Sequence, residues 1–148
     1  PFTRPQARAA FAALRNAGIA SFAYYLVGLP WETADTVRET VSLARELDSD
    51  YANFFIATPL PGTRYFDYAV THHLLEHRGD PLHAIQEGYS RPAARGHHLS
   101  REEIAHWHRW AVRQFHLRPR YLWKRLSRLH GLTEWARHLR GGWTLLRS

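Results

Sequence analysis

Residues 28–33 read Gly-Leu-Pro-Trp-Glu-Thr, and residues 59–63 read Pro-Leu-Pro-Gly-Thr. Each follows a run of residues suited to a buried strand. In open α/β sheets and parallel barrels, ligands sit beyond the carboxyl ends of the strands. Residues placed there can therefore do chemistry. Gly28 would let the backbone approach a ligand closely, and Pro30 would stiffen the loop against the ordering cost of binding. Glu32 and the hydroxyls of Thr58 and Thr63 would supply a few polar contacts. The same residues also make an ordinary turn into a helix, whose first turn favours a carboxylate. There is no GxGxxG or Walker lysine, so the loops do not read as a cradle for nucleotide phosphates.

The chain has eleven histidines and no cysteine. The histidine pairs 72–73 and 97–98 are adjacent, while His106 and His108 are two apart, so none of these pairs shares a helix face. With no HExxH motif either, the histidines read as surface residues and no metal ligand is assigned. Thiolate metal sites, disulfides and a cysteine nucleophile are excluded by composition.

The elements that must position the two loops are legible from periodicity. Thr3 and Pro5 open a helix over 4–17 that stops at Asn16 to Gly18. The near-continuous apolar run 19–29 reads as a strand covered on both faces. Thr33 caps a helix over 34–48, with Val37, Val41, Ala44 and Leu47 at helical spacing. A second buried strand follows over 51–59. Strand, helix and strand in about 40 residues form a βαβ unit with a parallel pair. Both polar loops then lie on one edge of the sheet and make a ligand rim.

Composition is globular, with 45% apolar and 14% aromatic residues among 148. That length suits about one domain. No apolar run reaches the roughly 20 residues that cross a bilayer. Nothing suggests export, and a cytoplasmic location is expected, with peripheral contact at a membrane. Charge divides the chain: residues 1–90 carry a net −3 and residues 91–148 a net +10, with five of the six tryptophans in the second part. The change falls in a Gly/Pro/Arg-containing stretch, 88–99, that reads as a linker.

In the second part Ser100 and Glu103 form a capping box. The helix they open carries Ile104, Trp107, Ala111 and Phe115 as its apolar stripe, and Pro119 starts the next. There Leu122, Leu126 and Leu129 are expected on one side, with Arg120, Lys124, Arg125 and Arg128 elsewhere. Thr133 offers a cap for a last short helix. A basic amphipathic surface with interleaved tryptophan fits an anionic membrane. Charge alone would also permit nucleic acid, but no recognition motif supports it.

Taken in order, five pieces resemble radical S-adenosylmethionine (SAM) enzymes of the branch that carries an N-terminal cobalamin-binding domain. They are a helix ending in "AGI", a strand leading into "GLPWET", the helix "DTVRETVSLARELDSD", a strand ending in "PLPGT", and "LSREEIAHWHRWAVRQFHLRPRYLWKRL". The resemblance implies an α/β fold: the C-terminal portion of a partial (β/α) radical SAM barrel over 1–87, then the linker, then a basic α-helical tail over 100–148. It implies a 4Fe-4S cluster on a CxxxCxxC loop and a cobalamin site, both outside this chain, which begins without methionine and reads as a fragment.

The activity so implied is reductive cleavage of SAM to a 5′-deoxyadenosyl radical. That radical would serve methyl transfer, cyclisation or another modification of an unactivated carbon in a small-molecule, tetrapyrrole- or lipid-like substrate. Leu26, Gly28, Leu29 and Glu32 correspond to the family's SAM neighbourhood, with Pro59 and Gly62 on the next rim. Many relatives have glycine where this chain has Trp31. The missing N-terminal part of the same protein is then a partner of the fragment. A rival reading is a non-catalytic basic helical adaptor that binds a membrane surface or a partner protein.

Overall fold

In the computed structural model, which describes residues 3–75 and 91–126, two six-residue strands form a parallel pair. These are β1 (Phe22–Val27) and β2 (Tyr51–Ile56), in register from Phe22 opposite Tyr51 to Val27 opposite Ile56. Helix α1 (Arg4–Asn16) precedes them and α2 (Ala34–Leu47) connects them. After β2 come α3 (Arg64–Thr71), α4 (Arg101–His116) and α5 (Pro119–Leu126). The fold is mixed α/β. The expected cap at Thr133, the residues Arg128 and Leu129, and the side chains of Arg125 and Leu126 lie outside the description.

Local hydrogen bonding explains where the helices begin. Thr3, Thr33 and Ser100 each accept a backbone N–H three residues on, and the side chain three residues on accepts the cap's own N–H. Each reciprocal pair satisfies two donors that a helix start otherwise leaves open. Thr63 caps α3 in the simpler way, through the N–H of Phe66.

Helices α2 and α4 cover one face of the sheet. Val27, Ala52, Phe54 and Ile56 from the strands, Val37, Val41 and Ala44 from α2, and Ile104, Ala111 and Phe115 from α4 make one core. Residues on both sides of the 88–99 stretch thus share a single interior. Leu99 belongs to that core, and Ala94 pairs with Leu75 in an antiparallel bridge.

Among the described residues nothing covers the other face of the sheet, contrary to the expectation of strands buried on both sides. Phe22, Tyr24 and Leu26 are 50%, 67% and 52% exposed. The rings of Phe22 and Tyr24 stack on each other at 4.9 Å and, across the strands, on those of Tyr51 at 5.6 Å and Phe55 at 5.9 Å. The residues of β1 alternate in burial, but both alternating sets are apolar or aromatic, so composition hid the period of two.

The sheet's two edges differ. Tyr51 N–H donates to Ser21 O and Ala57 N–H to Val27 O, so the odd-numbered residues of β2 face β1. The carbonyls of Ala52, Phe54 and Ile56 therefore point to the outer edge. All three meet side chains there: His116 Nε2 at 3.2 Å, His108 Nε2 at 2.9 Å and Thr58 Oγ1 at 3.2 Å. An edge occupied in this way is closed to a further strand. On β1, the outer-edge residues are Phe22, Tyr24 and Leu26, the same three that are exposed.

The stripe of α4 is as expected, but that of α5 is rotated. Tyr121 is buried, with its ring 5.2 Å from Phe115, while Leu122 and Trp123 are 44% and 74% exposed. Arg118, buried, donates to Arg45 O at 3.0 Å and ties the start of α5 to α2.

Candidate functional site

The loop after β1 is held from three directions. Gly28 adopts φ +93°, a conformation that costs an L side chain strain. A Cβ there would sit 2.7 Å from Ile104 Cγ2 and 3.6 Å from Ile56 Cγ2. The glycine thus lets α4 close onto the strand end. The room expected for a ligand at Gly28 is, on that side, filled by Ile104.

Glu32 is buried, only 6% exposed, and points back at the strand. Its Oε2 accepts the N–H groups of Gly28 and, at 3.2 Å, Leu29, while its own N–H donates to Leu29 O at 3.0 Å. Burial pushes the carboxyl above its usual range, and the two backbone donors offset part of that rise. This carboxylate ties the loop together.

From α3, the Tyr65 hydroxyl donates to Gly28 O at 3.3 Å. Burial, and secondarily the charge of Glu32, pushes this phenol up to about 12. From the stretch read as a linker, His97 N–H donates to Pro30 O at 2.7 Å. Gly96 makes that approach possible, since a Cβ there would meet Pro30 O at 3.2 Å and Leu29 O at 3.6 Å.

Beside this clamped loop lies a groove of about 500 Å³, lined almost wholly by apolar atoms of Leu26, Leu29, Phe55, Ile56 and Tyr65, with Thr58. It opens at the carboxyl edge of the parallel pair. Of the residues expected at a ligand rim, Leu26 and Leu29 line the groove. Gly28 and Glu32 lie behind it and shape the loop. Pro59 is fully buried, and Gly62 sits in an exposed turn at φ +82°, where an added Cβ would meet nothing within 4 Å. The groove can hold a flat, mostly apolar group against aliphatic and aromatic walls, with one hydroxyl and backbone edges for orientation. Among the described residues that line it there is no carboxylate or imidazole, so these walls are suited to bind more than to move protons.

Next to the groove, Trp31 is 61% exposed and meets the Tyr68 ring edge-on at 6.5 Å. The Tyr68 hydroxyl is 2.8 Å from His97 Nε2, and the His72 ring lies 4.1 Å from that of Tyr68. Sequence reading missed α3 and with it Tyr65 and Tyr68. Their signal was available in Thr63, a cap, followed by Tyr65, Tyr68 and Ala69 at helical spacing.

The histidines need two corrections. His108 and His116 are half-buried against the carbonyls of β2 instead of lying on the surface, and burial holds His108 below its ordinary value. The spacing His73-Leu-Leu-Glu76-His77 was also passed over. His73 follows the end of α3 at φ 52°, off the helix, and residues 76 and 77 lie outside the description.

No protein-family model matches the chain. It is 35% identical over 114 residues to an uncharacterized methyltransferase of Pyrococcus horikoshii, covering 77% of this chain and 24% of that protein. It is 39% identical over 64 residues to the anaerobic magnesium-protoporphyrin IX monomethyl ester cyclase of Rubrivivax gelatinosus, covering 43% of this chain and 12% of the cyclase. The chain therefore spans about a quarter or less of the curated relatives it matches.

Proposed function

We propose that the chain is the closing segment of a radical SAM barrel, and that its groove receives the adenosine of SAM or the apolar substrate beside it. The observation that carries this reading is the groove itself, at the carboxyl edge of a parallel βαβ pair and walled by Leu26, Leu29, Phe55 and Tyr65. Similarity to a methyltransferase and to a porphyrin ester cyclase supports SAM use and an enzymatic role. The edges support a place at the end of an open barrel. Side chains occupy the outer carbonyls of β2, whereas the outer residues of β1, Phe22, Tyr24 and Leu26, are exposed, as a strand that continues a barrel would need.

The residues fit adenosine: the base is flat and largely apolar, and the groove offers such walls with little competing charge. They do not fit the other implied groups, because the chain has no cysteine for a cluster and the groove is far too small for a corrin. On this reading a cluster and cobalamin would be held by other parts of the full-length protein. Together with SAM they would supply the radical and the methyl group. This chain's share is binding and exclusion of water: Leu26, Leu29 and Phe55 make an apolar wall, while Glu32, Tyr65 and His97 keep the loop in one shape. An ordered loop spends less binding energy on becoming ordered.

Leu26→Ala in the full-length protein tests the reading. Leu26 is half exposed, so the fold loses little, whereas a ligand in the groove loses an apolar contact of about 1 kcal/mol or more. SAM or substrate affinity should fall several-fold with an unchanged melting temperature. Unchanged affinity for both would remove the groove from the site.

A further inference from the structure

At the opposite end of the sheet, the last turn of α1, the start of β1, the residues before β2 and the face of α5 surround a cavity of about 490 Å³. Asp48, which ends α2 in the left-handed conformation, lines it. One carboxylate oxygen, Oδ2, lies 3.3 Å from Arg120 Nε and 4.0 Å from Arg15 Nη1, and the other lies 3.6 Å from Arg118 Nη2. Asp50 is engaged separately. Its Oδ1 is 3.0 Å from Lys124 Nζ, and its Oδ2 accepts the N–H and hydroxyl of Ser21. Three guanidiniums thus surround one carboxylate.

Arg118 is buried and donates to carbonyls of Phe115 and Arg45. Arg15 and Arg120 are placed differently. Their side chains are 49% and 76% exposed, and among the described residues the partner of both is the same Asp48 oxygen. Two guanidiniums drawn to one oxygen repel each other and keep most of their N–H groups for something else. A tetrahedral anion has oxygens enough to bridge two such forks in charge-assisted bonds, and it relieves the repulsion. Beside them the wall becomes apolar: Phe11, Leu47, Ile19 and Trp123, the last two 56% and 74% exposed.

We propose that this cavity is a second binding site, for a phosphate-headed amphiphile. The phosphate bridges Arg15 and Arg120, and the aliphatic chain lies along Ile19 and Trp123. Sequence reading had placed Arg120 and Lys124 on a basic surface free to meet a membrane. Lys124 is engaged with Asp50, and the cation left to bind beside Arg120 comes from α1.

The full-length protein is titrated with decyl phosphate below its micelle threshold, with inorganic phosphate and decanol, and separately with phosphatidylglycerol or phosphatidylcholine vesicles. Decyl phosphate should bind at least about tenfold more tightly than inorganic phosphate or decanol, because only it uses both halves of the site. Arg15→Gln and Arg120→Gln should each weaken it about tenfold. Trp123→Ala should weaken decyl phosphate but leave inorganic phosphate unchanged. A response to phosphatidylglycerol vesicles without one to decyl phosphate, if lost in both arginine variants, identifies the phosphate of a bilayer lipid as the ligand and supports the site. Equal binding of decanol and decyl phosphate, binding untouched by both arginine variants, or no response to either phosphate source would overturn it. Should Arg120→Gln disturb α5, Arg15→Gln, on α1, carries the test alone.

Discussion

Replacing Glu32 separates a carboxylate that holds a loop from one that meets a ligand. In Glu32→Ala the N–H groups of Gly28 and Leu29 lose their acceptor at a strand end closed in by Ile104 and Ile56. An unsatisfied buried donor costs about 1–3 kcal/mol. Because Leu29 is only part-buried and removal of the carboxylate also removes its own desolvation cost, the net is about 2–4 kcal/mol of local stability. In Glu32→Gln the amide oxygen can still accept both bonds and carries no charge to desolvate, so the cost is about 1 kcal/mol or less.

Hydrogen exchange of a peptide spanning 28–33 in the full-length protein reads this directly. The alanine variant should lose between about one and three orders of magnitude of protection. The glutamine variant should lose about tenfold at most. A pH series adds a second reading. The folded carboxyl titrates above its usual value of 4.5, so the folded state holds the proton more tightly than the unfolded one. Protection of the wild type should then be greatest below 4.5 and decline as pH rises through the raised value; in the glutamine variant that decline should be absent. Equal loss in both variants, with SAM affinity falling in both, would mean that the charge itself serves a ligand. An alanine variant as protected as wild type would refute the loop-holding role.

Other outcomes follow from neighbouring contacts. Gly28→Ala should destabilise by about 1–3 kcal/mol through the Ile104 contact and the positive φ. Ile104→Ala should restore part of that loss in a double-mutant cycle of melting temperatures, and strict additivity would count against the contact. Asp48→Ala leaves the buried Arg118 without its carboxylate and should cost about 3–5 kcal/mol in urea unfolding; a loss under 1 kcal/mol would mean that Arg118 is held by carbonyls alone. His108 has its pKa lowered by burial, so its contribution is complete above about 6.5 and is lost as pH falls through the depressed value. His108→Gln should flatten that acid dependence, and an unchanged slope would exclude His108 as its source. Residues 1–148 expressed alone expose Phe22, Tyr24 and Leu26 along one strand edge and should self-associate in light scattering; a monodisperse monomer would show that the face needs no cover.

Local chemistry determined much of this protein without help from the fold. The caps at Thr3, Thr33 and Ser100 depend on partners three residues away, and each helix starts where those residues predict. The stripe on α4 is likewise carried by its own spacing, and the parallel pair follows from strand, helix and strand in so short a span. Tertiary structure decided what the same residues do once distant segments meet. Gly28 is set by Ile104, 76 positions later, and Gly96 by the carbonyl of Pro30. Glu32 offered two directions to a reader, solvent or ligand, and burial with two backbone donors selected a third. Which face of β1 is covered could not be read, because both alternating sets are apolar or aromatic and only the arrival of α2 and α4 distinguishes them. Arg120 and Lys124 carry the same charge in any fold. Their roles come from Asp48 and Asp50, which a left-handed turn at the end of α2 presents to them.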